Sequence, residues 1–106
     1  MTMKQKIDDT IARLNGNQVD GYTITDMAAN YDNEDYVLFC IILDARFKMI
    51  TRVSRRAIEN DNFDLYDYMT EKIIAAVRMI GKRKLTEYQN EKGTETTKGR
   101  ESIAMD

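Results

Sequence analysis

No proline occurs in this chain of 106 residues, and no glycine lies between Gly21 and Gly81. A stretch of roughly sixty residues therefore lacks the two residue types that most often interrupt regular secondary structure. Long, unbroken helices suit such a stretch, so the sequence predicts an all-α fold. A chain of this length makes one small domain with a modest core, which favours association with a second copy.

The spacing of the apolar residues predicts three helices. The first runs from about Thr2 to Asn15 and ends at Gly16, which can take the C-terminal cap conformation. The second runs from about residue 33 to 59 and opens at the acidic sequence DNED, which suits a helix N-terminus. The third follows residues 60–62 and ends near residue 84. Its apolar stripe comprises Leu65, Tyr66, Met69, Ile73, Ala76, Val77 and Ile80.

Two long helices joined by three residues predict an antiparallel helical hairpin from about 33 to 84, with the short first helix packed on it. After residue 88 the chain has little to bury, so we expect a single helical domain over residues 1–88 and a disordered tail over 89–106. Residues 17–30 are harder to assign, because the sequence YTIT fits a short strand and the following DMAANY fits a helical turn.

An α+β fold, with a helix, a three-stranded meander and a second helix, is the alternative interpretation. It rests on the sequence YVLFCIIL, which is rich in β-formers, and on residues 44–54, where the apolar residues alternate almost as strictly as in a strand. The sequence LDAR argues against it, because it offers no glycine, asparagine or proline where a two-residue hairpin needs one.

Opposite charges fall on the two arms of the predicted hairpin. Residues 44–60 contain five basic and two acidic residues, whereas residues 61–77 contain one basic and four acidic residues. We expect these blocks to lie side by side and to neutralise each other, with each exposed ion pair contributing only about 0–1 kcal/mol. The net charge of −2 also argues against a dedicated nucleic-acid protein. A nucleic-acid-associated regulator remains the alternative function, and its candidate contacts are Arg52, Arg55, Arg56, Lys82, Arg83 and Lys84.

Four residues are candidates for binding a partner protein. Arg46 falls in the predicted helical seam between Leu43 and Ile50, where an apolar residue is expected, and it could set the register of an oligomer. A second, weaker stripe on the third helix contains Tyr68, Ala75 and Met79, residue types suited to interfaces, unless the first helix covers it. The sequence thus predicts a small protein-binding module, acting as an adaptor, regulator or inhibitor and forming a homodimer.

Catalytic chemistry has little support in the sequence. The chain has no histidine, and its five glycines form no phosphate-binding loop. The acidic set Asp61, Asp64, Asp67 and Glu71 contains oxygen ligands that suit Mg²⁺. Most of these carboxylates are expected on the polar face of the third helix, away from any neighbouring helix. We therefore predict a protein that is not an enzyme and has no metal or cofactor.

The single cysteine, Cys40, lies inside the apolar sequence YVLFCIIL, where a free thiol is expected to pack as a small buried side chain. One cysteine cannot form a disulfide within the chain. Charged residues near the N-terminus do not fit a signal peptide, and no apolar run approaches the ~20 residues of a membrane span. The expected location is the cytoplasm, without membrane attachment.

Overall fold

The computed structural model describes the backbone of residues 1–93 and the side chains of residues 1–81. Within this range the fold is α+β and not all-α. Its elements are α1 (Met3–Leu14), β1 (Gln18–Val19), β2 (Tyr22–Asn30), β3 (Tyr36–Leu43), β4 (Phe47–Ser54), α2 (Arg55–Glu59) and α3 (Leu65–Gly93). The four strands form one curled antiparallel sheet in the order β1-β2-β3-β4. The prediction of an all-α helical hairpin is therefore wrong, and the helix–meander–helix alternative has one strand fewer than the structure.

Helix α1 is confirmed within one residue at each end. Thr2 caps it: its hydroxyl accepts from the Gln5 N–H, and the Gln5 side chain accepts from the Thr2 N–H. This reciprocal pair satisfies two backbone donors that a helix start leaves unpaired. Beyond the C-cap, Gly16 takes a φ of +86°, a conformation that glycine adopts without steric cost.

The predicted second helix is wrong, because residues 36–54 form the paired strands β3 and β4. Their register is regular over eight pairs, from Tyr36 opposite Ser54 to Leu43 opposite Phe47. Lys48 and Arg52 are exposed on the strand and would also be exposed on the predicted helix, so their positions in the sequence could not distinguish the two structures. The side chains on one face of the two strands are buried; they are Val37, Phe39, Ile41, Leu43, Phe47, Met49, Thr51 and Val53.

The turn between β3 and β4 lacks a glycine or asparagine and is held by the neighbouring strand. Asp44 and Ala45 both take a φ of +54°, as the central residues of a type I′ turn must. Thr23 of β2 donates its N–H to the Asp44 carboxylate over 2.8 Å, and its carbonyl accepts from the Asp44 N–H over 2.8 Å. The Thr25 hydroxyl accepts from the Ala45 N–H over 2.9 Å. Contacts distant in sequence therefore replace the missing local turn signal.

Strand β2 carries a β-bulge that interrupts its alternation. The register with β3 shifts between Ile24 and Asp26, so Thr25 and Asp26 are both exposed while Ile24 and Met27 are both buried. A bulge bends its strand and increases the local twist. The bend lets β2 reach the turn between β3 and β4 while its buried residues stay on the core side.

Helix α3 is the element that the sequence predicts best. The predicted stripe packs as expected, with Leu65, Met69, Ile73, Ala76, Val77 and Ile80 buried and Tyr66 partly buried. The start of the helix is capped by Asp64, whose carboxylate accepts from the Asp67 N–H over 3.0 Å. The helix continues through Gly93, past the predicted domain boundary at residue 88. The remainder of the predicted tail, 94–106, lies outside the described residues.

The predicted pairing of two charged helices is wrong, because the helix that carried the basic block does not exist. The Arg55 guanidinium instead donates hydrogen bonds to two backbone carbonyls. Its Nε donates to the Asn33 carbonyl over 2.9 Å and its Nη2 to the Tyr31 carbonyl over 2.6 Å. These bonds hold the loop between β2 and β3. Without this helix, the predicted hairpin no longer explains how acidic residues would neutralise the basic block.

Candidate interaction surface

The sheet has two faces, and the buried core lies on one of them. The core cluster joins the buried strand residues to side chains of α1, α2 and α3. Strand residues alternate between the two faces. The opposite face, which we call the outer face, is formed by Asp26, Ala28, Asn30, Tyr36, Leu38, Cys40, Ile42, Lys48, Ile50, Arg52 and Ser54.

An apolar patch lies at the centre of the outer face. The strand registers place Cys40 between Ala28 of β2 and Ile50 of β4, with Leu38 and Ile42 two residues away on either side along β3. Ala28 is exposed and the other four side chains are half-buried. None of the five belongs to the core cluster that the described side chains form, or packs against it. We call these five residues the apolar patch.

Charged residues of opposite sign border the apolar patch. Asp26 on β2 and Lys48 on β4 both pair in register with Ile42, so the three side chains form one row across the sheet. Asp26 and Lys48 are both exposed. The acidic side of the outer face is thus β2, and the basic side is β4.

The far end of the outer face is more polar. The Arg52 guanidinium lies 5.4 Å from the ring centre of Tyr36, within cation–π range. Next to this pair, a shallow hollow of about 260 Å³ opens beneath the loop between β2 and β3. The hollow is lined by Asn30, Asp32, Asn33, Tyr36 and Leu38.

Arg46 does not lie in a helical seam. It occupies the turn between β3 and β4, where it is exposed and its N–H donates to the Leu43 carbonyl over 3.0 Å. Its guanidinium lies 5.0 Å from the Phe47 ring centre. The reason for expecting it to set an oligomer's register has therefore gone, and its contact with a partner stays a prediction.

The predicted stripe on α3 lies away from the outer face and divides into two parts. The ring of Tyr68 is half-buried and packs 5.4 Å from the Phe63 ring centre, at the margin of the core. Ala75 and Met79 are exposed, Met79 by 43%, so α1 does not cover them. This pair remains an exposed helix surface whose role in binding stays a prediction.

The candidate nucleic-acid residues do not form one described surface. Arg52 lies on the outer face, whereas Arg55 holds the β2–β3 loop and Arg56 is exposed on α2. The other candidates, Lys82, Arg83 and Lys84, lie in the part of α3 whose side chains are outside the described set. Only one of the three described arginines therefore faces the same side as the apolar patch.

A second concave region lies between α1 and the start of α3, with a volume of about 260 Å³. Its cations already have structural partners. The Lys6 ammonium donates to the Ile58 carbonyl over 2.8 Å and to the Asn60 carbonyl over 2.9 Å, at the end of α2. The Arg13 guanidinium stacks 3.7 Å from the Tyr66 ring centre. This cleft is explained by helix packing and needs no ligand.

The acidic residues Asp61, Asp64, Asp67 and Glu71 are all exposed, and the Asp64 carboxylate serves as a helix cap. Over the residues that the structure describes, no three His, Cys, Asp or Glu side chains are grouped so that they could hold a metal ion. Within the same residues, no helix combines the length and the apolar character that crossing a bilayer requires.

The Cys40 thiol lies on the outer face and is half-buried, outside the core, so the prediction that it packs as a buried side chain is wrong. The apolar patch was not predicted, although its signal is present in the two strand sequences. FKMITRVS has polar residues at Lys48, Arg52 and Ser54 on the outer face, whereas YVLFCIIL is apolar or aromatic at every position. A strand that is apolar on both faces is typical of one that is covered on both.

Comparisons of the chain with protein-family models, with curated proteins and with solved structures found no significant match. The function must therefore be inferred from the geometry of the outer face.

Proposed function

We propose that this protein is a small protein-binding module, without covalent chemistry of its own, that binds through the outer face of its sheet. It would act as an adaptor, regulator or inhibitor by occupying a partner's surface. The observation that supports this function is the composition of β3, which is apolar on the outer face as well as on the face that the helices cover.

The arrangement of the outer face fits a protein interface. Apolar side chains occupy its centre, and Asp26, Lys48 and Arg52 lie at its margins. Interfaces commonly have an apolar centre that loses its water and a polar rim that stays hydrated. Covering the patch would stabilise a complex by about 25 cal/mol for each Å² of apolar surface removed from water.

A nucleic-acid partner has less support from the same surface. Sheets that bind RNA stack bases on exposed aromatic side chains. Here Phe39 and Phe47 are buried in the core, and the aromatic residue of the outer face, Tyr36, lies against Arg52. Asp26 would also repel a phosphate backbone. A polarisation titration with labelled RNA and DNA should show weak binding, and tight binding that falls steeply with salt would favour the nucleic-acid alternative.

We also propose a reducing location such as the cytoplasm. The Cys40 thiol is half-exposed on the proposed binding surface, and free thiols at a surface persist best where glutathione and thioredoxin keep them reduced.

The proposal is tested by comparing what the chain captures from its native host when single surface residues are changed. Ile42→Glu puts a charge into the apolar patch, whereas Ala75→Glu puts the same charge on the exposed face of α3. We expect the wild-type chain and the Ala75→Glu variant to retain a protein that the Ile42→Glu variant loses. Circular dichroism should show that both variants stay folded, because each side chain can reach water. Equal capture by Ile42→Glu and the wild type, of a second copy of the chain as well as of other proteins, would contradict the proposal.

A further inference from the structure

We infer that the outer face binds a second copy of this chain, in a dimer whose two-fold axis runs parallel to β3. This inference rests on the proposed function and names the partner of the same surface. Its basis is the arrangement of charged and apolar residues on the outer face. One two-fold rotation places opposite charges of the two copies opposite each other, whereas two other rotations place like charges together.

Face-to-face sheets pack about 10 Å apart with their strands within about 30° of each other. A two-fold axis above β3 and parallel to it exchanges the two flanking strands, so β2 of one copy lies over β4 of the other. Residues keep their position along the strands under this rotation. Asp26 then faces Lys48 of the second copy, because both pair in register with Ile42.

The same rotation brings apolar side chains together at the centre. Ala28 faces Ile50 of the second copy, because both pair in register with Cys40. Leu38, Cys40 and Ile42 lie on β3 beneath the axis, so each faces its own counterpart. A symmetric dimer therefore forms two Asp26–Lys48 pairs around one continuous apolar contact.

Charge opposes two other symmetric arrangements. A two-fold axis that crosses the strands above Cys40 would place Lys48 opposite Arg52 of the second copy. Pairing two β4 strands edge to edge about Ile50 would also place Lys48 beside Arg52, because the two residues lie at equal distances from it in sequence. Like charges in direct opposition disfavour both arrangements.

The size of the outer face indicates a weak dimer. Three strands about 4.8 Å apart and eight residues long cover about 14 Å by 27 Å, or roughly 400 Å² on each copy. This is about half of what each partner buries in a standard stable complex. We therefore expect a dissociation constant on the order of micromolar, with monomers and dimers in exchange.

Cys40 provides a direct test, because it is the single cysteine of the chain and lies beneath the proposed axis. The spacing of about 10 Å between facing sheets exceeds the reach of about 7 Å between the Cα atoms of a disulfide. A bismaleimide with a two-carbon spacer should therefore link two copies through Cys40 at micromolar protein concentration. The matched control is Cys40→Ser combined with Ala75→Cys, which moves the thiol to α3 and should give little linked dimer.

The Asp26–Lys48 pairs are tested by reversing one charge in each single variant and by exchanging both charges in a double variant. Lys48→Asp and Asp26→Lys each replace two attractive pairs by two repulsive pairs, and we expect each to weaken dimerisation in sedimentation velocity by at least about tenfold. The double variant Asp26→Lys/Lys48→Asp restores opposite charges at both pairs and should recover the wild-type constant to within about threefold. These residues are exposed in the monomer, so all three variants should fold.

Three results would overturn the inference. They are a chain that stays monomeric at high micromolar concentration, linkage through Ala75→Cys with none through Cys40, and a double variant no better than the single ones. The proposed function fails separately, when Ile42→Glu changes neither self-association nor capture of another protein. A monomeric chain whose capture of a different protein is lost with Ile42→Glu would keep the proposed function and reject the second copy as the partner.

Discussion

The two faces of the β3–β4 hairpin are built from neighbouring residues in the same strands and differ in what covers them. On the core side, Phe39 and Ile41 are completely buried beneath the helices. On the outer side, Leu38 and Ile42 are half-buried and lie outside the core cluster of the described residues. Adjacent residues of similar polarity thus have different surroundings because a strand turns successive side chains to opposite faces.

This difference separates the requirements of folding from those of binding. The fold needs the core-side residues, because their burial stabilises the domain. It does not need Leu38, Ile42 or Ile50 to be apolar, since polar side chains on a solvent-facing sheet surface are the common pattern. The proposed contact outside the monomer would account for their apolar character, and substitutions on each face can test it.

The largest expected difference is between Phe39→Ala and Leu38→Ala. Phe39→Ala opens a cavity in the core and should lower the free energy of unfolding by about 3–5 kcal/mol. Leu38→Ala should cost about 1 kcal/mol in dilute monomer, because its side chain is already partly exposed to water. Urea denaturation followed by circular dichroism measures both values.

Unfolding measured at several protein concentrations adds a second comparison. Because a dimer stabilises the folded state by mass action, the wild-type midpoint should rise with concentration. Leu38→Ala should reduce this dependence, since it removes part of the apolar patch. Equal losses of stability in the two variants, or no effect of concentration on the wild type, would contradict the contrast between the faces.

The core side also contains a polar group that the fold does not need. Thr51 is completely buried opposite Phe39, and its hydroxyl has no hydrogen-bond partner in the described structure. Thr51→Val removes this group with little change of shape and should raise the free energy of unfolding by about 1–2 kcal/mol.

Ile50→Thr is the control for Thr51→Val, because it replaces an apolar side chain by a hydroxyl-bearing one at the adjacent residue, on the outer face. It should change monomer stability by less than about 1 kcal/mol and weaken self-association. Thermal unfolding and sedimentation together distinguish the two effects. A less stable Thr51→Val variant would mean that the hydroxyl has a partner, such as a buried water.

Helices α1 and α3 could be predicted from sequence because their signals are local. The ends of α1 follow from Thr2, Gln5 and Gly16, and the buried side of α3 follows from apolar residues three and four apart. The first hairpin also has a local signal, since Asp20 and Gly21 have positive φ and an Asp-Gly pair favours a two-residue turn. This signal favours the strand over the helical turn for the residues that follow it.

The β3–β4 hairpin could not be predicted in the same way, because its turn depends on residues about twenty positions earlier. Thr23 and Thr25 supply the hydrogen bonds that hold Asp44 and Ala45 with positive φ. The sequence LDAR contains no sign of these bonds, and they exist only after β2 has paired with β3. The candidate site was missed for the same reason, since the outer face exists only once the strands are in register.

The smallest predicted effect comes from a change in the turn between β3 and β4, which alters the stability of the hairpin and leaves both faces of the sheet unchanged. Ala45 has a φ of +54°, a conformation that costs an L-residue other than glycine roughly 1–2 kcal/mol. Ala45→Gly removes this strain but adds backbone entropy to the unfolded chain, so the free energy of unfolding should rise by about 0.5–1 kcal/mol. The residue is exposed and lies outside the apolar patch. Sedimentation should therefore give an unchanged dimerisation constant, and a changed constant would show that self-association depends on the turn as well as on the outer face.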